Sequence, residues 1–162
     1  MIFVTVGTSF PFDRLIRALD EIVEQGIFTE EIFAQVGKGG YRPSHFNWVE
    51  TLTKQEFDAY FNKAESLIAH AGMGTITMAL QQHKPILVIP RLKQFKELVN
   101  DHQLATAKQF ERSGHVLAAY HVDELLLKIQ SLKTFHPAPR KNQAEQVSKY
   151  IGNFLQIFSN EK

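Results

Sequence analysis

With 162 residues, and 18 lysines and arginines against 17 acidic residues, the chain carries a formal charge of +1, which excludes the strongly basic footprint of a nucleic-acid protein. That length suits one domain around one core, and 44% hydrophobic residues with 13 phenylalanines mark a filled interior rather than a disordered chain. Cysteine is absent, so disulfides, thiolate zinc sites and a cysteine nucleophile are excluded together, in keeping with a reducing compartment.

The opening MIFVTVGT has no basic n-region and only a short apolar run. Residues 2–6 therefore read as a first strand covered on both faces, not as a signal peptide. Gly7-Thr8-Ser9 turns the chain, and Pro11 suits the first turn of a helix. Residues 13–25 place Leu15, Ile16, Leu19, Ile22 and Val23 at helical spacing, with Gly26 to stop them. A second strand is predicted over 32–36. The cationic loop Gly37-Lys38-Gly39-Gly40 follows, either a solvent turn or a loop facing a ligand. Residues 41–47 read as loop, 48–52 as a short strand, and 55–63 as a helix with Phe57, Tyr60 and Phe61 on its apolar face.

Residues 66–90 form one β-turn-α-turn-β unit. Leu67 and Ile68 lead to His70, Gly72 and Gly74 turn the chain into an apolar helix, and Pro85 precedes a buried strand over 86–89. Beyond Pro90 the polar, basic stretch 91–97 has no clear period. A helix is predicted over 101–110, closed by Ser113-Gly114, then a strand over 116–120 and a helix over 122–132. Pro137 and Pro139 break regular structure. Residues 141–158 carry Val147, Ile151, Phe154, Leu155 and Phe158 on one stripe. Residues 1–139 thus make one domain, and 140–162 a C-terminal amphipathic helix that either packs on that domain or docks a partner. No run approaches the ~18 apolar residues of a membrane span, so membrane contact is expected to be peripheral or through a partner.

Alternating strands and helices predict an α/β domain, a Rossmann-like parallel sheet with helices on both faces. Such sheets bind ligands at the carboxyl ends of their strands. The glycine turns after the first, second and fourth strands, and the loop after Pro90, all fall on that edge. At the turn into the third helix, backbone N–H groups and the helix dipole face an anion. Gly72-Met73-Gly74 is not a dinucleotide fingerprint, because Thr77 fills the third glycine position and the next strand ends in Pro90-Arg91 rather than an acid. No GK[ST] follows a glycine loop, so a P-loop is excluded too.

What remains is an anion turn with the Thr75 hydroxyl as an extra donor, or a close-packing turn without a ligand. His70 beside it can donate to a phosphate, act as acid or base, or be a satisfied half-buried histidine. In Asn100-Asp101-His102-Gln103, Asn100 or Asp101 can cap a helix, while His102 and Gln103 can instead bind sugar hydroxyls. Arg91 and Lys93 are either phosphate-neutralising or a solvated face. No DxD pair holds Mg²⁺ or Mn²⁺, the seven histidines lack zinc spacing, and no metal or other cofactor is expected.

Taken together, IFVTVGT, QVGKG, HAGMGTITMALQQHKPILVIPR and NDHQLATAKQFERSG resemble the glycosyltransferase family 28 C-terminal domain. That is the donor-binding half of inverting, two-Rossmann-domain (GT-B) glycosyltransferases. Its single-domain forms include the cytosolic subunit of the eukaryotic dolichol-linked N-acetylglucosamine transferase and the PssE-type subunits of capsule and exopolysaccharide synthesis, and the VIPRLKQFKELVNDHQ stretch is most similar to the latter. The resemblance implies donor binding by Gly72, Met73, Gly74 and Thr75 around the UDP phosphates, with His70 beside them as the catalytic candidate. Lys38 and Gly39 would lie near the nucleotide, Gly7 and Thr8 at the cleft border, and His102 and Gln103 at the donor sugar, with Arg91 and Asn100 completing the donor-binding set. Two positions depart from the family pattern: Met78 stands where many relatives bind ribose with a glutamate, and His83 where a glycine is usual.

The resemblance further implies transfer of a hexose, galactose or glucuronic acid, from a UDP-sugar to a lipid-linked acceptor. A membrane-anchored, acceptor-binding subunit would complete the enzyme, holding this chain at the cytoplasmic face of the membrane. The alternative is a non-catalytic subunit that stabilises or regulates a second transferase.

Overall fold

In a computed structural model of the chain, the described residues are 1–139, and the helix expected over 141–158 lies outside them. The elements run β1 (Ile2–Thr5), α1 (Asp13–Glu24), β2 (Ile32–Gln35), β3 (Asn47–Val49), α2 (Lys54–Lys63), β4 (Ser66–His70), α3 (Met73–Gln81), β5 (Ile86–Ile89), α4 (His102–Arg112), β6 (Leu117–Ala118) and α5 (Leu125–Leu132). The six strands form one sheet in the order β3-β2-β1-β4-β5-β6, parallel throughout. The Rossmann-like fold expected from the alternation is the fold observed.

Strand burial explains why these runs are continuous in apolar residues rather than alternating: helices cover both faces. On one face Val4, Ile68 and Leu87 pack with Leu15, Ile16 and Leu19 of α1 and Ile129 of α5. On the other, Phe3, Leu67 and Val88 pack with Phe61 of α2, Ile76 of α3 and Ala107 of α4. Each large side chain so buried contributes about 1.5–3 kcal/mol. Helix α2 starts where Thr53 and Glu56 form a reciprocal capping box, which satisfies two otherwise unpaired amides. Helix α1 stops at Gly26, whose φ of +68° suits glycine.

The last strand is shorter than its apolar run. The Tyr120 N–H donates to Glu124 Oε2 at 2.9 Å instead of continuing the ladder, and a 3₁₀ turn over Val122–Glu124 leads into α5. The stretch after Pro90 holds a single 3₁₀ turn, Lys93–Phe95. No described helix is long and apolar enough to cross a membrane.

Strand order sets the position of the site. From β1 the chain winds outward to β2 and β3, and from β4 it winds the other way to β5 and β6. The crossover between β1 and β4 opens a crevice at their carboxyl ends, where open α/β sheets take their ligands.

Candidate functional site

Two loops leave that crevice side by side, one after β1 at Gly7 and one after β4 at His70. The His70 ring lies between them. A Cβ on Gly7 would sit 2.9 Å from His70 Cε1, and one on Gly72 would sit 2.3 Å from His70 Nε2. Both glycines are therefore required by the imidazole, and Gly7 also needs its φ of +82°. The third glycine loop joins from the other side, since a Cβ on Gly37 would meet Pro11 Cα at 3.1 Å. Below these loops the Thr5 hydroxyl accepts from the Gly7 N–H at 3.3 Å and donates to Gln35 Oε1 at 3.1 Å.

Helix α3 begins at this point. Gly72 is its N-cap and has no side chain to offer its amides. The first intrahelical bond is from the Ile76 N–H to the Gly72 carbonyl at 3.2 Å. The N–H groups of Met73, Gly74 and Thr75 thus have no acceptor among the described residues, and they point out of a helix N-terminus. Gly74 differs from Gly72 in an informative way. A Cβ there meets nothing within 4 Å and its φ lies outside the positive range. Neither packing nor backbone geometry demands this glycine, although a helical glycine is destabilising relative to alanine. An open flank against three unpaired amides is a surface shaped for an anion.

His70 is neutral at physiological pH. Burial, with the positive charge of Arg91 second, pushes its pKa down to about 4, and its Nδ1 is buried without a hydrogen-bond partner. The ring can therefore hydrogen-bond or accept a proton beside the turn, but it offers a phosphate no standing positive charge.

The chain matches the glycosyltransferase family 28 C-terminal domain over residues 1–155. It belongs to that family. Relatives include the UDP-N-acetylglucosamine transferase subunit ALG13 of Homo sapiens, 32% identical over 154 residues, which cover 88% of this chain and 13% of the human protein. The subunit of the same name from Yarrowia lipolytica is 25% identical over 138 residues, 77% of this chain and 67% of that one. This family 28 domain thus spans about an eighth of the human relative. Among solved structures, Acinetobacter baumannii MurG superimposes with a TM-score of 0.59 at 19% identity, over 82% of this chain and 42% of that one. The glycotransferase of kitacinnamycin gives 0.56 at 17%, over 82% and 34%. Both share the fold.

Within the family 28 domain the expected donor residues fall into two groups. Gly7, His70, Gly72, Met73, Gly74 and Thr75 converge at the crevice. Thr8 is exposed on the β1 loop, and Lys38 and Gly39 are exposed at the end of β2, on a loop whose packing is against Pro11. Arg91 has a different task from the phosphate contact expected of it. It is 3% exposed, and its guanidinium donates to the carbonyls of Pro11 (2.7 Å), Val6 (2.9 Å) and Phe10 (2.7 Å) while stacking 4.6 Å from the Phe12 ring. Gln103 is also buried, and its Oε1 accepts from the Arg91 N–H at 3.1 Å, which ties α4 to the end of β5. His102 is exposed, with Nδ1 against Asn100 Oδ1. Asn100 Oδ1 also takes the His102 N–H at 3.3 Å, which makes Asn100 a local cap of α4.

Sequence reasoning missed two clamps that shape these loops. Arg14 of α1 is bidentate to Glu97 at 2.8 and 3.0 Å and also donates to the Pro90 carbonyl at 3.0 Å, pinning the loop after β5 to α1. Buried Asp20 accepts from the Tyr41 hydroxyl (2.8 Å) and from the N–H groups of Ser44 and His45 (3.0 and 2.9 Å). Burial opposes its charge, but these bonds outweigh it and hold the carboxyl below its ordinary value. The available signal was an acid on the apolar stripe of α1. Met78 is half-buried and packs on the core under α3.

Proposed function

We propose that this chain is the donor-binding subunit of an inverting glycosyltransferase that takes a UDP-sugar and acts with a second, acceptor-binding subunit. The observation that carries the reading is the trio of unpaired amides at Met73, Gly74 and Thr75, open beside Gly74 at the sheet's switch point. A diphosphate leaving group developing charge there is stabilised by fixed donors, a role that needs no cofactor. The matched relatives are named as UDP-N-acetylglucosamine transferase subunits, so N-acetylglucosamine replaces galactose and glucuronic acid as the first sugar to examine. Those relatives lend no support to the capsule and exopolysaccharide placement expected from the 88–103 stretch. The acceptor would be lipid-linked and the partner membrane-anchored, with the sugar hydroxyl attacking the anomeric carbon and UDP departing.

Titration calorimetry with UDP, UDP-N-acetylglucosamine, UDP-galactose, UDP-glucuronic acid and NADH decides among the readings. UDP and one UDP-sugar are expected to bind and NADH to fail. Silence from every uridine ligand, alone and with the acceptor-binding subunit, rejects a donor site and favours the regulatory alternative, with Met78 in place of a ribose-binding glutamate.

Gly74 separates ligand binding from folding. Gly74→Ala is expected to leave stability unchanged or raise it by up to about 1 kcal/mol, because its methyl group meets no protein atom. The same methyl crowds the amides, so UDP affinity is expected to fall roughly tenfold. Thermal melts and calorimetry on one preparation check both halves, and unchanged affinity would place the diphosphate elsewhere.

A further inference from the structure

Gln35 closes β2 and is 1% exposed, although a carboxamide is costly to bury unless its hydrogen bonds are met. It stands beside Thr5 of β1 in the parallel ladder. Thr5 in turn stands beside Ala69, the residue before His70. Gln35 and Thr5 therefore sit on the rim of the crevice, at the carboxyl ends of neighbouring strands.

The bond to Thr5 settles which way the carboxamide faces. Thr5 Oγ1 accepts from the Gly7 N–H at 3.3 Å, so its own proton is directed to Gln35, at 3.1 Å. Only the amide oxygen can receive it, which turns the nitrogen and its two hydrogens the other way. That bond is the only one the Gln35 side chain makes to a described residue. The nitrogen nevertheless meets solvent, because His70 Nδ1 is the one side-chain nitrogen or oxygen, among the described residues, that is both sealed and unpaired. The opening is not beneath Gln35. Two positions back on the same face of β2, Phe33 stacks on Tyr60 of α2 at 3.9 Å and on Phe3 at 6.3 Å. Aromatic rings fill the sheet face there, and the amide opens onto the carboxyl edge.

A hydrogen-bond donor in that position is within reach of a ligand in the crevice. Gln35 is two strands from β4, about 10 Å across the sheet, whereas the free amides of Met73, Gly74 and Thr75 follow β4 directly. Those amides meet the phosphates. Two strands away lies a group that the diphosphate carries, the nucleoside or the sugar. The oxygens of both are carbonyls and hydroxyls, the uncharged acceptors that suit a neutral carboxamide. Thr5 holds that carboxamide in place before binding, so little ordering remains to be done.

We infer that Gln35 contacts the nucleotide-sugar, its amide N–H₂, aimed by Thr5, donating to a neutral oxygen of the ligand seated on the α3 amides. The inference rests on the UDP-sugar reading and adds to it a contact that reads the organic part of the ligand rather than its charge.

Calorimetry of the full chain with pyrophosphate, UMP, UDP and UDP-N-acetylglucosamine tests it on wild type, Gln35→Met and Thr5→Val, with thermal melts confirming that each variant folds. Gln35→Met keeps the length of the side chain and removes the N–H₂. It is expected to bind a nucleotide roughly tenfold more weakly, the worth of one hydrogen bond, and pyrophosphate as the wild type does. A loss shared by UMP and UDP supports the inference with the oxygen on the nucleoside, and a loss confined to UDP-N-acetylglucosamine supports it with the oxygen on the sugar. If Gln35→Met does not fold, Gln35→Glu, which still accepts from Thr5, is expected to show the same loss for nucleotides. Thr5→Val removes only the aiming hydroxyl and is expected to lose less than Gln35→Met. Equal losses from those two variants would mean that Gln35 acts only through Thr5 and the Gly7 loop, and would overturn the inference. Unchanged nucleotide affinity in Gln35→Met, or a matching loss for pyrophosphate, overturns it too. Those results leave the UDP-sugar reading standing, whereas a wild-type chain that binds no uridine ligand removes both.

Discussion

Arg91→Ala is expected to lose about 1–3 kcal/mol of folding stability, the cost of leaving buried acceptors without their donor. The guanidinium holds the carbonyls of Val6, Phe10 and Pro11 at 2.7–2.9 Å, and it is the donor that turns the loop after β1 back over the sheet edge. Truncation leaves those acceptors without their donor and opens a hole against Phe12, and both effects destabilise. Arg91→Lys should recover less than half, because a single ammonium cannot reproduce a planar fork reaching several carbonyls. Urea unfolding measures it as a lower midpoint at unchanged slope. If Arg91 were instead a surface phosphate ligand, the same substitution would spare stability and reduce only UDP binding. That outcome would refute the structural role.

Much of this fold was legible because its strands are short, apolar and separated by helices whose period is clear. The runs 2–6, 32–36 and 86–89 could only be strands buried on both faces, and the unit from Ser66 to Pro90 has the boundaries expected of it to within a residue. The crevice was legible for the same reason: glycines following strands land together once the sheet is parallel. Polar side chains were harder to place. Arg91 follows a strand just as a phosphate ligand would. Only the three-dimensional return of residues 6–11 shows that backbone carbonyls take its hydrogen bonds first. Arg14 and Glu97 are 83 positions apart, and no local pattern announces such a pair. Gly72 and Gly74 look alike in sequence, yet one is required by an imidazole and the other by nothing in the protein.

Acidification from pH 6.5 to 4 is expected to remove about 3 kcal/mol of stability through His70 alone. Its pKa falls from 6.5 to about 4 on folding, so within that window the unfolded chain binds a proton that the folded chain refuses. Stability is therefore complete above pH 6.5, declines as pH falls through the window, and levels off near 4. The carboxylates held low by the fold, Asp20 and Glu56, start from ordinary values of 3.8 and 4.5 and act beneath most of it. His70→Phe keeps a ring between Gly7 and Gly72 and removes the orphaned nitrogen. Its unfolding free energy should be nearly flat over the same pH range, and parallel slopes for both proteins would show that another group titrates. A diphosphate seated on the amides of Met73, Gly74 and Thr75 would favour the imidazolium and offset the field of Arg91. Saturating UDP should then shrink the wild-type slope. An unchanged slope despite bound UDP would mean that His70 only spaces the two glycine loops.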